Sequence, residues 1–240
     1  LRAVPHGDNI RWAEGTPDGA IVSLSIDGTI TRTSRDQTSV VLARDVSPRG
    51  RFSYAAARGL LAYACDPAEL CLWDVLHGTR IPAAQEFHDV QLAGIAFSPD
   101  GSQLALISQT GVLRVFDVTA PAQPVERLHL DTKTGVAVMF VDEDAIAVAT
   151  QDGLEFVRMT GDTQTLPVPD PFVWDASAAD HLMALATMRG EGLLVETSHV
   201  RVTSHATLCH DTVSGLKFLP GQRTVAYSCR EGTVGTWDLQ

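Results

Sequence analysis

The sequence predicts an all-β chain of six repeats, each built from four short strands, and three observations carry that prediction. Alternating apolar segments of strand length fill the chain. Tight-turn signals such as Pro99-Asp100-Gly101 and Gln109-Thr110-Gly111 separate them at regular intervals. One phrase then recurs at a period of roughly 40 residues, the spacing of a repeat architecture in which each unit is one small sheet.

The clearest copy runs from Leu92 to Val118: an alternating strand, the turn at Pro99–Gly101, a second apolar strand, the turn at Gln109–Gly111, and a third strand ending in Phe116-Asp117. The same phrase returns from Gly50 to Val75 and from Val213 to Leu239, and both copies end in Trp-Asp, at Trp73-Asp74 and Trp237-Asp238. Degenerate copies span Asn9–Ser34, Gly135–Met159 and Phe172–Ser198. Between copies lie fourth segments with strand alternation, at Thr38–Asp45, Pro124–Asp131, Thr163–Asp170 and Val200–Leu208. Four strands per unit make one blade of a β-propeller.

An acidic residue precedes each first strand: Asp8, Asp45, Asp89, Asp131, Asp170 and Asp211, successively 37 to 44 residues apart. The last copy stops after its third strand, while Leu1–His6 reads as a fourth strand without its first three. The expectation is therefore a single domain over 1–240, a ring of six four-stranded blades closed by Leu1–His6 pairing with the last blade, which would remove two open sheet edges. The alternative is seven blades or part of a longer array.

The chain resembles the WD-repeat family, on the strength of Trp73-Asp74, Trp237-Asp238, the segment Phe97–Gly101 and the segment Glu231–Asp238. Scarce lysine (Lys133 and Lys217 only), frequent arginine and abundant alanine suggest a bacterial member. The resemblance implies a hydrogen-bonded tetrad in each blade: a His before the first strand, a Ser or Thr in the second, an Asp in the next turn and the Trp of the third. The match is patchy. The last copy offers His210, Ser228 and Trp237, with Glu231 in the Asp place; the third offers His88 and Ser108, with Thr110 and Phe116 in place of Asp and Trp; the second keeps Trp73 but lacks the His.

A formal charge of -11 and a pI near 5.0 argue against a surface that tracks nucleic-acid phosphates or anionic lipid. No 18-residue apolar run is present, and no secretory leader pattern opens the sequence. Cys65, Cys71, Cys209 and Cys229 form no C-x-x-C pair, so they are expected as free, buried thiols in a reducing, cytoplasmic setting. The first residue is Leu, which is expected of a piece of a longer protein, for instance the sensor of a signalling or defence protein with a nucleotide-switch ATPase.

His6, His88, His129 and His210 sit at blade boundaries, and their periodic placement predicts loop residues in separate blades, with no metal site. The first-strand aromatics Trp12, Phe52, Tyr54, Phe97, Phe140, Trp174 and Phe218 predict blade-to-blade packing. No nucleophile elbow, phosphate loop or H-E-x-x-H is present, so neither catalysis nor a cofactor is expected. The expected function is a rigid platform for a protein or peptide partner, with a permanent scaffold subunit, and then a propeller enzyme with a channel metal site, as alternatives. The residues expected to meet that partner are acidic: Asp8, Asp45, Asp89, Asp131, Asp170 and Asp211, with Asp152 and Glu231 in turns at the same end of the blades. They would attract a basic segment.

Overall fold

The computed structural model describes residues 9–44, 52–66, 69–82, 92–150, 152–168, 171–177, 180–219 and 223–239. They form six antiparallel sheets, the blade set of a six-bladed β-propeller, in which each strand pairs with its sequence neighbours. Blade 1 holds β1 (Ile10–Gly15), β2 (Ile21–Ser25), β3 (Ile30–Thr33) and β4 (Ser39–Ala43). Blade 2 holds β5 (Phe52–Ala55), β6 (Leu60–Asp66), β7 (Glu69–Asp74) and β8 (Thr79–Ile81). Blade 3 holds β9 (Leu92–Phe97), β10 (Gln103–Ser108), β11 (Val112–Asp117) and β12 (Val125–Asp131). Blade 4 holds β13 (Gly135–Phe140), β14 (Ala145–Thr150), β15 (Gly153–Arg158) and β16 (Thr163–Leu166). Blade 5 holds β17 (Pro171–Ser177), β18 (Leu182–Thr187), β19 (Glu191–Glu196) and β20 (Arg201–Thr207). Blade 6 holds β21 (Val213–Phe218), β22 (Thr224–Cys229) and β23 (Val234–Asp238). Its expected closing strand, Leu1–His6, lies outside the described residues.

Two compact units divide the chain, Leu1–Ala137 and Val138–Gln240. Blades 1 to 3 lie in the first, blades 5 and 6 in the second, and blade 4 contributes all but the start of β13 to the second.

Burial explains why the strands of a blade read differently. In blades 4 and 5 the second strand is covered on both faces, so β14 and β18 are buried at every position, and their sequences, AIAVAT and LMALAT, lose the polar alternation of a one-sided strand. The fourth strand faces solvent, and β12 alternates exposed and half-buried along its whole length. Between blades 1 and 2, Val22, Leu24 and Ile30 pack against Leu61, Tyr63 and Val75, with Trp12 meeting Phe52 edge-on at 5.1 Å and Tyr54 at 5.8 Å. The expected aromatic packing is present there. Between blades 5 and 6, Leu182, Ala184 and Leu194 meet Phe218, Val225 and Leu239.

Several turns share one device, a hydroxyl donating to an aspartate two residues on. Ser98 donates to Asp100 at 2.6 Å and Thr160 to Asp162 at 2.8 Å, and Thr16 with Asp18 and Ser25 with Asp27 do the same. The carboxylates of Asp27 and Asp100 then accept a backbone N–H on the far side of the turn, from Thr29 at 2.9 Å and Ser102 at 2.8 Å. These aspartates build their turns.

Candidate functional site

Each blade has two ends. One carries the turns between first and second and between third and fourth strands. The other, here the loop end, carries the turn between second and third strands and the connection to the next blade. Of the acidic residues expected to bind a partner, Asp131, Asp152, Asp211 and Glu231 belong to the loop end.

The backbone there is pinned by repeating contacts. The turn glycines Gly111, Gly153 and Gly190 take positive φ, and a Cβ on each would strike backbone at or just past the end of the fourth strand: Thr132 O at 2.5 Å, Leu166 O at 2.4 Å and Cys209 O at 2.2 Å. Only glycine lets the connection pack so closely. Thr132 N then donates to Gly111 O at 2.8 Å, and Leu208 N to Gly190 O at 2.9 Å, which fixes the backbone directly after Asp131 and shortly before Asp211.

Asp131 closes β12 and is exposed; Asp211 is exposed on the connection between blades 5 and 6, accepting a hydrogen bond from the Thr212 hydroxyl at 3.2 Å. Asp152 and Glu231 are exposed in the turns before β15 and β23. Among the described residues no basic side chain pairs with Asp131, Asp211 or Glu231. Asp8, Asp45, Asp89 and Asp170 lie outside the described residues. Acidic charge is not confined to this end, because Asp117, Asp142, Asp144, Asp162 and Glu196 sit at the other. There, the Thr119 hydroxyl and then Arg127 hold Asp117 well below the usual carboxylate range, and His199 and Arg201 lower Glu196.

The tetrad-like residues take other partners. The Trp73 indole N–H donates to the Tyr63 hydroxyl at 3.2 Å; the Ser228 hydroxyl pairs with that of Ser214 at 3.0 Å; and Ser108 pairs with Thr110 at 2.9 Å while accepting from Val112 N at 2.8 Å. Trp237 is half-buried against the blade 5–6 core, and His210 is exposed. His88 lies outside the described residues. Of the other boundary histidines, His129 is exposed beside Glu126, with 3.2 Å between Nδ1 and Oε1, and His6 is not described.

The cysteines require a correction. They were expected as free thiols, yet Cys209 and Cys229 form a disulfide, with Cα atoms 5.7 Å apart, and Cys71 is disulfide-bonded as well. The spacing in sequence hid the pair, because a connection from one blade and the end of a strand in the next meet only once blades 5 and 6 pack. Both sulfurs are buried, and the Glu231 carboxylate lies with them: one donor atom from each of the three residues falls within 4.8 Å of the others. This is the only such His, Cys, Asp or Glu group among the described residues. Sequence reading missed it, although one signal was present: Cys229 occupies a position that is Ser or Thr in blades 1, 3, 4 and 5.

At the opposite end of the second unit, a cleft of about 100 Å³ is lined by Phe156, Arg158, Asp162, Gln164, Thr197 and Val200. The Thr197 hydroxyl is buried there without a hydrogen-bond partner among the described residues. No helix among those residues is long and apolar enough to cross a membrane. No family model and no curated protein matches the chain.

Proposed function

We propose that the chain is a non-catalytic interaction module of the WD-repeat kind, from a bacterial signalling or defence protein, that recognises a basic protein or peptide segment with the loop ends of its blades. The observation that carries this reading is the pinned backbone of the loop end, where Asp131 and Asp211 stand exposed beside connections held by Gly111 and Gly190. Loops already fixed in place lose little entropy on binding, and unpaired carboxylates on them favour a cationic partner over nucleic acid or anionic lipid. The Trp-Asp endings of β7 and β23 and the blade architecture support the family assignment. A cytoplasmic location was inferred from free thiols; with Cys209 and Cys229 paired, the proposed compartment is one whose redox poise is compatible with that bond.

Capture of partners from native lysate by the full chain tests the proposal. A variant with Asp131→Asn, Asp152→Asn and Asp211→Asn is expected to lose a specific partner that the Asp142→Asn, Asp144→Asn variant retains. Equal capture by both would move recognition away from the loop end.

A further inference from the structure

The second-strand ends of four blades follow a rule that blades 2 and 6 do not. In blades 1, 3, 4 and 5 the last residue of the second strand is a hydroxyl, at Ser25, Ser108, Thr150 and Thr187, and three residues later comes a turn glycine. The hydroxyl serves the turn: Val112 N donates to Ser108, Arg189 N to Thr187 at 3.2 Å, and Thr150 donates to Gly153 O at 3.2 Å. In blade 6 the glycine remains, as Gly232, but the hydroxyl is replaced by Cys229. Its sulfur leaves the turn and joins Cys209 on the connection from blade 5.

Two residues further on, the turn residue varies among these blades (Asp27, Thr110, Asp152, Arg189), and in blade 6 it is the carboxylate Glu231. Asp27 of blade 1 spends its carboxylate on its own turn, accepting from Ser25 and from Thr29 N. Glu231 at the matching place is one methylene longer, and its Oε1 instead accepts from His210 N at 3.4 Å, beside Cys209. The departure from the repeat at Cys229 and the carboxylate of Glu231, turned toward the connection from blade 5, thus converge on one point. A purely structural crosslink would need the cysteines but not the carboxylate.

The geometry points to a redox-gated metal site, in which reduced Cys209 and Cys229 together with Glu231 bind one thiophilic divalent cation of the zinc class. Two thiolates and a carboxylate are a recognised zinc donor set, with a fourth position open to water. The sulfurs are buried and Glu231 is exposed, so the cation enters from the carboxylate side. The chemistry balances in two steps. A dithiol reductant supplies two electrons and two protons, breaking the protein S–S bond to two thiols while its own sulfurs join as a disulfide. The cation then displaces both thiol protons to solvent and forms two metal–sulfur bonds. Oxidised, the same residues crosslink the blade 5–6 connection to β22. This inference does not rest on the proposed function.

The test uses the full chain with Cys65→Ser and Cys71→Ser, which leaves one thiol pair, reduced with a phosphine, stripped of metal and titrated with Zn²⁺ against a chromogenic chelator. One equivalent is expected in the reduced chain and none in the oxidised chain. Cys209→Ser or Cys229→Ser should abolish tight binding, and Glu231→Gln should weaken it at least about tenfold. A reduced chain that binds no more zinc than its Cys209→Ser variant overturns the site, and unchanged affinity in Glu231→Gln overturns the three-donor set. Should the background substitutions prevent folding, Co²⁺ added to the reduced, unsubstituted chain gives a second reading. A thiolate-to-cobalt absorption band that Glu231→Gln shifts is expected; its absence overturns the proposal.

Discussion

At the scale of single residues, Tyr54 shows what an unmet polar group does. Its ring packs edge-on against Trp12, yet its hydroxyl is buried with no hydrogen-bond partner among the described residues. Burial, reinforced by the negative charges of Glu14 and Asp18, pushes its pKa up to about 12 from an ordinary value of 10.0. A group whose folded pKa is raised contributes stability that is complete below the unfolded pKa and is lost as pH rises through the folded one. The window here lies between pH 10 and about 12. Tyr54→Phe removes the unmet donor and keeps the ring, so it should raise stability at pH 7 by about 1 kcal/mol. Its advantage over the native chain should then widen above pH 10. Urea midpoints at pH 7, 9 and 10.5 check both parts; a variant weaker at pH 7, or a gap independent of pH, would refute this account.

At the scale of elements, the blades are joined by more than apolar packing. Arg58, in the turn between β5 and β6, reaches across to blade 3 and donates to Gly101 O and Val118 O at 3.0 Å and to Thr119 O at 2.9 Å. Three carbonyls around one guanidinium demand its planar fork, and an ammonium cannot match that spread. Arg58→Ala is expected to cost about 2 kcal/mol. Arg58→Lys should recover less than half of the loss in chemical denaturation, and full recovery by lysine would show that charge alone matters. The strands themselves were legible because each period-two pattern is local: all four inter-copy segments expected as fourth strands appear, as β4, β12, β16 and β20. Contacts between blades were not legible, since Arg58 meets residues 43 to 61 positions away. The Cys209–Cys229 bond was hidden for the same reason, joining a connection to a strand across an interblade packing that no local pattern encodes. The acidic loop residues were readable as a periodic set, but the sequence did not distinguish carboxylates that build turns, such as Asp27 and Asp100, from exposed ones such as Asp131.

At the scale of the whole molecule, a net charge of -11 spread over 240 residues sets a field that draws cations from a distance. That field alone does not choose an end, because carboxylates occupy both. What separates the ends is pairing and support: Asp117 and Glu196 at one end are held by arginines, while Asp131, Asp211 and Glu231 at the loop end meet no basic side chain among the described residues. Paired charges are already neutralised locally, so the loop end should dominate encounter with a cationic segment. Charges farther apart than about 8 Å are largely screened at physiological salt, and this makes the effect measurable as a dependence of association rate on ionic strength. Association of an Arg- and Lys-rich peptide with the full chain should slow several-fold between low and high salt while dissociation changes little. Converting Asp131, Asp211 and Glu231 to their amides should flatten that dependence, and converting Asp142, Asp144 and Asp162 should leave most of it. Stopped-flow rates for both triple variants decide the matter: equal flattening would mean that the peptide feels only total charge, and the loop end would then have no privileged role in capture.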